Sequence, residues 1–154
     1  MSRARKKMYM ETTSIDSSRS AAEICAELVK AGANQIASTY KDGRIVGLRW
    51  SMRIGGDDRL FDMPVRVEPV FRIINGRRSF PTSYQAVDRA QADRVAWRQL
   101  LRWVQAQMAM IDTGMVETAE VFSPYMVGAQ GKTLWEMISD GDMLKLLPAP
   151  ETTQ

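Results

Sequence analysis

The chain of 154 residues is long enough for one domain with a buried core, and 45% apolar with 25% charged residues is typical of globular proteins. It has no apolar stretch of the ~20 residues that a membrane span needs, and no apolar segment follows the basic N-terminus, so the sequence predicts neither a transmembrane helix nor a secretory signal. A single cysteine leaves no internal disulfide, and we expect a cytoplasmic protein.

The net charge of +3 conceals a strong asymmetry along the chain. Residues 1–7 carry four basic side chains and no acidic one, while residues 44–102 carry twelve arginines against six acids. Residues 103–154 carry two lysines against seven acids. Because the arginine side chain binds phosphate through two hydrogen bonds and stacks on bases, the arginine-rich middle block predicts an anionic partner. The acidic last third, in the same chain or in a neighbouring subunit, is the alternative partner.

In chain order, residues 1–16 predict a flexible basic arm and residues 17–148 a single domain. A helix is expected to begin near Asp16 or Ser17, since its apolar residues follow helical spacing, and to end before Gly32. Cys25 lies in the apolar stripe of this helix. With no histidine in the chain to activate it, we interpret it as a small packed hydrophobe.

Three strands are predicted next. Asp42-Gly43 between two β-rich runs indicates a hairpin. Alternation in the second strand places Leu48, Trp50 and Met52 on one face and arginines on the other. The third strand is predicted over 59–67, and its Pro64, which cannot donate to a ladder, favours an edge position.

The second half of the chain predicts helices. A short one starts near Glu68 and ends before Gly76, and the longest runs from a capping box at Thr82 and Gln85 to about Asp112. A last short helix has a capping box at Thr133 and Glu136, and residues 149–154 form a tail. The fold class is therefore α+β in the order α-β-β-β-α, with the long helix packed on a three-stranded antiparallel sheet and with short extra helices.

Most catalytic chemistry is excluded by composition. Without histidine there is no triad, no usual general base and no common zinc site. The pair Asp57-Asp58 lies in a glycine turn without the further oxygen ligands that a calcium or magnesium site needs. The segment Gly131-Lys132-Thr133 lacks the earlier glycine of a phosphate-binding loop, because Met126 stands there. We therefore predict a non-enzyme without cofactor or metal.

The stretch DRVAWRQLLRWVQAQ (93–107) places Arg94, Arg98 and Arg102 four residues apart, in one line along the long helix. The line is about 12 Å long and would contact two or three consecutive phosphates. The alternative is the solvated back of an amphipathic helix. Further candidates for nucleic-acid contact are Arg49, Arg53, Arg66, Arg77 and Arg78, with Trp103 and Tyr40 as stacking residues.

The element order looks like that of double-stranded-RNA-binding domains, and its later part is similar to the core of phage single-strand annealing proteins. The RNA-binding family's lysine-rich start of the last helix and its loop histidine have no counterpart, so none of its sites is transferred. AAEICAELVKAGA, KDGRIVGLRW, MPVRVEPVF and the long-helix segment together resemble small uncharacterised proteins of phage and prophage genomes. This resemblance implies a phage accessory role in the cytoplasm of a bacterial or phage-infected cell.

Two functions follow as hypotheses. The first is a non-enzymatic accessory protein that binds nucleic acid, with single-stranded DNA favoured, through the arginine-rich surface. The second is a protein-interaction module, either a host-enzyme inhibitor or a self-assembling homo-oligomer. It rests on the acidic last third and on its methionines at 108, 110, 115, 126, 137 and 143, because methionine surfaces adapt to partners.

Overall fold

The computed structural model describes residues 5–141 together with residues 143, 145 and 147. The predicted tail lies outside the described residues. The elements are α1 (Ser17–Lys30), β1 (Ala33–Lys41), β2 (Arg44–Ile54), β3 (Asp57–Pro64), α2 (Val67–Asn75), α3 (Gln85–Asp112), α4 (Thr118–Phe122) and α5 (Leu134–Ser139). This order confirms the predicted α+β class. Within the described part of the chain, no helix is both long and apolar enough to cross a bilayer.

Helix α1 has the predicted bounds. The Asp16 carboxylate accepts a hydrogen bond from the Ser18 backbone N–H at 2.8 Å, as an N-cap does, and Gly32 follows the helix with a φ of +106°. Ile24 and Leu28 are fully buried. Cys25 is half-buried against this core, and burial raises the pKa of its thiol.

The three strands form an antiparallel sheet in the order β1-β2-β3. Asp42 and Gly43 both have positive φ, as the predicted two-residue hairpin turn requires. The edge position expected from Pro64 is confirmed. The third strand was predicted over 59–67, which is wrong at both ends: β3 begins at Asp57 and stops at Pro64, and Val67 already opens α2.

The helices cover one face of the sheet, with α3 packed between α1 and α2. The covered sheet face carries Leu48, Trp50, Met52, Phe61 and Met63, all buried. The opposite face carries Arg49 and Arg53, which are exposed.

On α3, Trp97 is fully buried and its indole N–H donates to the Ile45 carbonyl at 3.2 Å. Phe122 of α4 closes the core with edge-on ring contacts to Trp50 at 5.7 Å and to Trp103 at 6.0 Å. The core thus includes a residue from beyond the long helix.

One of the two predicted capping boxes forms. The Glu136 backbone N–H donates to the Thr133 hydroxyl at 3.2 Å, and the Thr133 backbone N–H donates to the Glu136 carboxylate at 2.7 Å. The box predicted at Thr82 and Gln85 is wrong, because Thr82 lies inside a 3₁₀ turn and α3 begins at Gln85 without a side-chain cap. The buried Asn75 closes this turn instead, donating to the Pro81 carbonyl at 2.9 Å.

The described part of the predicted arm lies along α3. The Gln91 amide donates to the backbone carbonyls of Glu11 and Thr13, each at 2.9 Å. The Gln99 amide donates to the Tyr9 carbonyl at 2.8 Å. Two glutamines on one helix therefore hold the backbone of residues 9–13.

Candidate nucleic-acid interface

A cavity of about 650 Å³ lies where the arm, the segment after α2 and the first half of α3 meet. Five cationic side chains line it, and we call it the basic cleft: Arg5, Lys7, Arg77, Arg78 and Arg94. Two carboxylates, Glu11 and Asp88, share the lining. The cleft thus joins cations from three separate segments of the chain.

Glu11 connects the arm to the rest of the cleft. Its carboxylate accepts hydrogen bonds from the Met8 backbone N–H at 2.9 Å and from Arg5 at 2.8 Å, and it also pairs with Arg77. The Met8 hydrogen bond, followed by the hydrogen bond and charge of Arg5 and the charge of Arg77, lowers the pKa of Glu11. Glu11 is therefore ionised at neutral pH and neutralises part of the cleft charge.

Asp88 is the second engaged carboxylate, and its side chain is only 1% exposed. Arg78 donates to both of its oxygens, at 3.1 and 2.8 Å, and the Asn75 amide donates at 3.2 Å. The hydrogen bond from Arg78 is the main cause of the lowered pKa of Asp88. The Arg78 guanidinium also lies over the Tyr84 ring, 4.2 Å from its centre.

The other two cations of the cleft form no ion pair with a carboxylate of the described residues. Arg94 donates twice to the neutral Gln91 amide oxygen, at 3.0 and 2.7 Å. Lys7 is exposed and forms no ion pair with any other residue in the described part of the chain. With both carboxylates already engaged, the cleft keeps an excess positive charge, which is the condition for binding phosphate.

Two exposed aromatic side chains lie in the chain segment that joins two lining residues of the basic cleft. Phe80 and Tyr84 stand between Arg78 and Val87, both of which line the cavity. Phe80 is 74% exposed and Tyr84 is 42% exposed. Surfaces that bind a single strand combine such exposed rings, on which bases stack, with cations that contact the backbone.

A second cleft of about 380 Å³ adjoins the first through Arg94, which lines both. Its other lining residues include Asp16, Arg44 and the exposed Tyr40. Tyr40, predicted as a stacking residue, therefore lies in a cavity that shares a wall with the basic cleft.

The predicted arginine line on α3 divides into three environments. Arg94 is half-buried in the cleft, and Arg102 is exposed and donates to Gln105 at 2.9 Å. Arg98 is buried and pairs with Glu23 of α1 at 3.3 Å. Helix α1 packs on this side of α3 and covers the middle of the line, so Arg98 is not accessible to a phosphate in this structure.

The remaining predicted residues are dispersed. Arg77 and Arg78 join Arg94 in the cleft, whereas Arg49 and Arg53 lie on the sheet face away from the helices, where Arg49 pairs with Asp62 at 3.0 Å. Arg66 is exposed between β3 and α2. Trp103 is half-buried, with edge-on ring contacts to Phe122 at 6.0 Å and to Tyr125 at 6.1 Å.

Sequence reasoning missed the residues that assemble the cleft. Arg5 and Lys7 were treated only as part of the flexible basic arm, although the basic run beside a glutamate was visible. Gln91 and Asp88 carried no signal, because a polar residue on a long helix is expected to face water.

The methionines that favoured a protein-interaction module are mostly packed, whereas the acidic residues Asp112, Glu117, Glu120, Glu136 and Asp140 of the last third are exposed. Met108 is buried, and Met110, Met126, Met137 and Met143 are half-buried, while Met115 is 70% exposed. Among the described residues, no group of three or more potential metal ligands occurs.

No protein-family model matches the chain, and no curated protein or solved structure is detectably similar to it. Function is therefore argued from the site itself.

Proposed function

We propose that this protein is a non-enzymatic binder of single-stranded nucleic acid and that the basic cleft is its binding site. The observation that carries the proposal is the convergence of five cations from three chain segments in one cavity, with Phe80 and Tyr84 exposed in the segment that joins the lining residues Arg78 and Val87. Arginine and lysine would neutralise the phosphates, and the aromatic rings would stack on the bases.

Single strands are favoured over duplexes for a geometric reason. The Tyr84 ring contacts Arg78 of the cleft, and Phe80 lies four residues before Tyr84, so bases and phosphates would be contacted together. In a duplex the base faces are stacked inside the helix, and only an unpaired strand can present them to Phe80.

The experiment is a salt titration of binding to labelled single-stranded DNA, single-stranded RNA and duplex DNA. The cleft variant carries Arg5→Gln, Lys7→Gln and Arg94→Gln, which avoids the buried Asp88 pair. The matched control carries Arg53→Gln, Arg66→Gln and Arg102→Gln, three exposed arginines outside the cleft.

We expect tighter binding to single strands than to duplex, and a salt slope that falls by about two units in the cleft variant, since each phosphate contact on a single strand contributes about 0.7. The control variant should keep the wild-type slope. Absence of binding at low salt would overturn the proposal, and so would equal losses in the two variants. The DNA and RNA arms decide which strand is preferred.

A further inference from the structure

The two edges of the sheet differ in how they are protected. Edge β3 has Pro64, carries the charged residues at 57–59, and is partly covered, because the Val127 N–H donates to the Leu60 carbonyl at 2.8 Å and Met126 bridges to Phe61. Proline, charge and cover are the usual means by which proteins prevent strand addition. Edge β3 is thus closed to another chain.

Edge β1 has none of these protections. From Ala33 to Tyr40 it contains neither a charged residue nor a proline, and no described segment pairs with its outer side. Gln35, Ala37, Ser38 and Thr39 are all exposed. Register shifts occur near both ends, but residues 35–39 pair regularly with β2, so a straight row of backbone N–H and C=O groups faces outward.

We propose that a second copy of this chain binds edge β1 through its own β1, in antiparallel orientation, to form a six-stranded sheet across a twofold axis. The charge of the strand favours a second copy of the chain as the partner. A twofold axis pairs the neutral strand with itself, so no like charges meet within residues 33–40. A strongly charged foreign peptide would find no complementary charge there.

One register is favoured by its side chains. With Ser38 on the axis, Ile36 lies opposite Tyr40 of the second copy, an aromatic–β-branched pair that stabilises antiparallel strands. Lys41 then lies opposite the neutral Gln35. Tyr40 is 65% exposed in the single chain, so this pairing would also bury an apolar ring.

Helix α1, which packs beside β1, supports the same partner. Its exposed side carries Ala22, Ala26 and Val29 at i, i+4 and i+7, and Val29 is 60% exposed. Small apolar side chains let two helices approach closely, so the α1 helices of the two copies would pack below the joined strands. This contact enlarges an interface that strand pairing alone would leave small.

The test is the molar mass by light scattering over a wide dilution series of the full chain. We expect twice the chain mass of 17.4 kDa, independent of added salt. The variant Ala37→Lys with Thr39→Lys places like charges on the joined strands and should raise the dimer dissociation constant by at least about tenfold. Leu60→Lys with Gln130→Lys adds the same charge at exposed positions elsewhere and should leave it unchanged.

Disulfide trapping gives a second measurement that does not depend on the lysine variants folding. In a Cys25→Ala background, a single cysteine at position 38, the residue on the twofold axis, should form cross-linked dimers on oxidation, because it lies directly opposite its own copy. Single cysteines at positions 37 and 39 are each diagonal to their own copy, and these variants, like Leu60→Cys, should not cross-link. A monomer at every concentration would overturn the proposal. A dimer that keeps its affinity in the Ala37→Lys, Thr39→Lys variant and forms no cross-link at position 38 would also overturn it.

Discussion

The two halves of helix α3 have similar polar residues with different surroundings. In the first half, Asp88 and Arg98 are buried, Gln91 holds the arm, and Gln91 and Arg94 line the cleft. In the second half, Gln99 also donates to the arm, but Arg102 and Asp112 are exposed and form no hydrogen bond or ion pair with another described segment. The difference shows that neighbouring segments, rather than the helix's own periodicity, determine which polar residues are accessible.

One pair of contacts makes this clear. Arg94 donates to Gln91 and Arg102 donates to Gln105, so each half has an arginine and a glutamine three residues apart. Only Gln91 also holds another segment, the arm. The same substitution in the two pairs therefore gives matched variants that differ in the contact with the arm.

The largest expected effect concerns Arg98. Arg98→Ala should lower the free energy of unfolding by about 2 kcal/mol, because it removes a packed side chain and the partner of Glu23. Arg98→Met, which keeps the volume and removes the buried Nε that has no hydrogen-bond partner, should be as stable as the wild type. Urea unfolding measures both. Arg102→Ala is the control and should change stability by less than about 0.5 kcal/mol. An equal loss of stability in Arg102→Ala would contradict the expected difference between the buried and the exposed arginine.

The next effect concerns stacking at the start of α3. Phe80→Ala should weaken binding to a single strand about tenfold, the loss of one base–aromatic contact, without changing stability. Met115→Ala, after the end of α3, removes a side chain of similar exposure (70% against 74%) and should leave affinity unchanged. Fluorescence anisotropy on the same oligonucleotide compares them. If Phe80→Ala binds like the wild type, the ring does not contact bases.

A smaller effect is expected from the matched glutamines. Gln91→Ala should weaken single-strand binding about fivefold, since loss of the arm contacts leaves Lys7 and Arg5 unpositioned, each lost hydrogen bond contributing about 1 kcal/mol. Gln105→Ala should have no effect. Hydrogen exchange checks the cause: amides of the arm should exchange faster in Gln91→Ala only.

The smallest effect is the pH dependence of the arm. Because the folded-state pKa of Glu11 is below its usual value of 4.5, its contribution is fully present above that value and is lost as pH falls through the lowered pKa. We expect the Met8 amide to lose protection in acid, beyond its intrinsic pH dependence. Glu11→Gln should abolish this change, and Asp112→Asn, at the other end of α3, should not. A Met8 amide that is as well protected in acid as at neutral pH would contradict this prediction.

Much of the fold could be predicted because its signals are local. The Asp42-Gly43 turn, the alternation around Trp50 and the capping box at Thr133 each depend on residues within a few positions of one another. The failures were at boundaries. The Thr82 cap did not form because a competing 3₁₀ turn, closed by Asn75, takes that segment.

The candidate site was predictable only in part. Arg77, Arg78 and Arg94 were identified from residue type, but nothing local showed that they converge with the arm. Arg98 has the same spacing as its neighbours and is nevertheless buried, because α1 lies 60 or more residues earlier in the chain and packs over it.

The sequence alone determined the element order, the hairpin, the apolar stripe of α1 and the excess of arginine in residues 44–102. These follow from backbone preferences and from periodic burial, which act over short stretches. Only the tertiary structure decided which arginines share a cleft, which one is buried and which strand edge stays open. Charge density and access depend on distances between segments far apart in the chain, and those distances exist only once the helices have packed on the sheet.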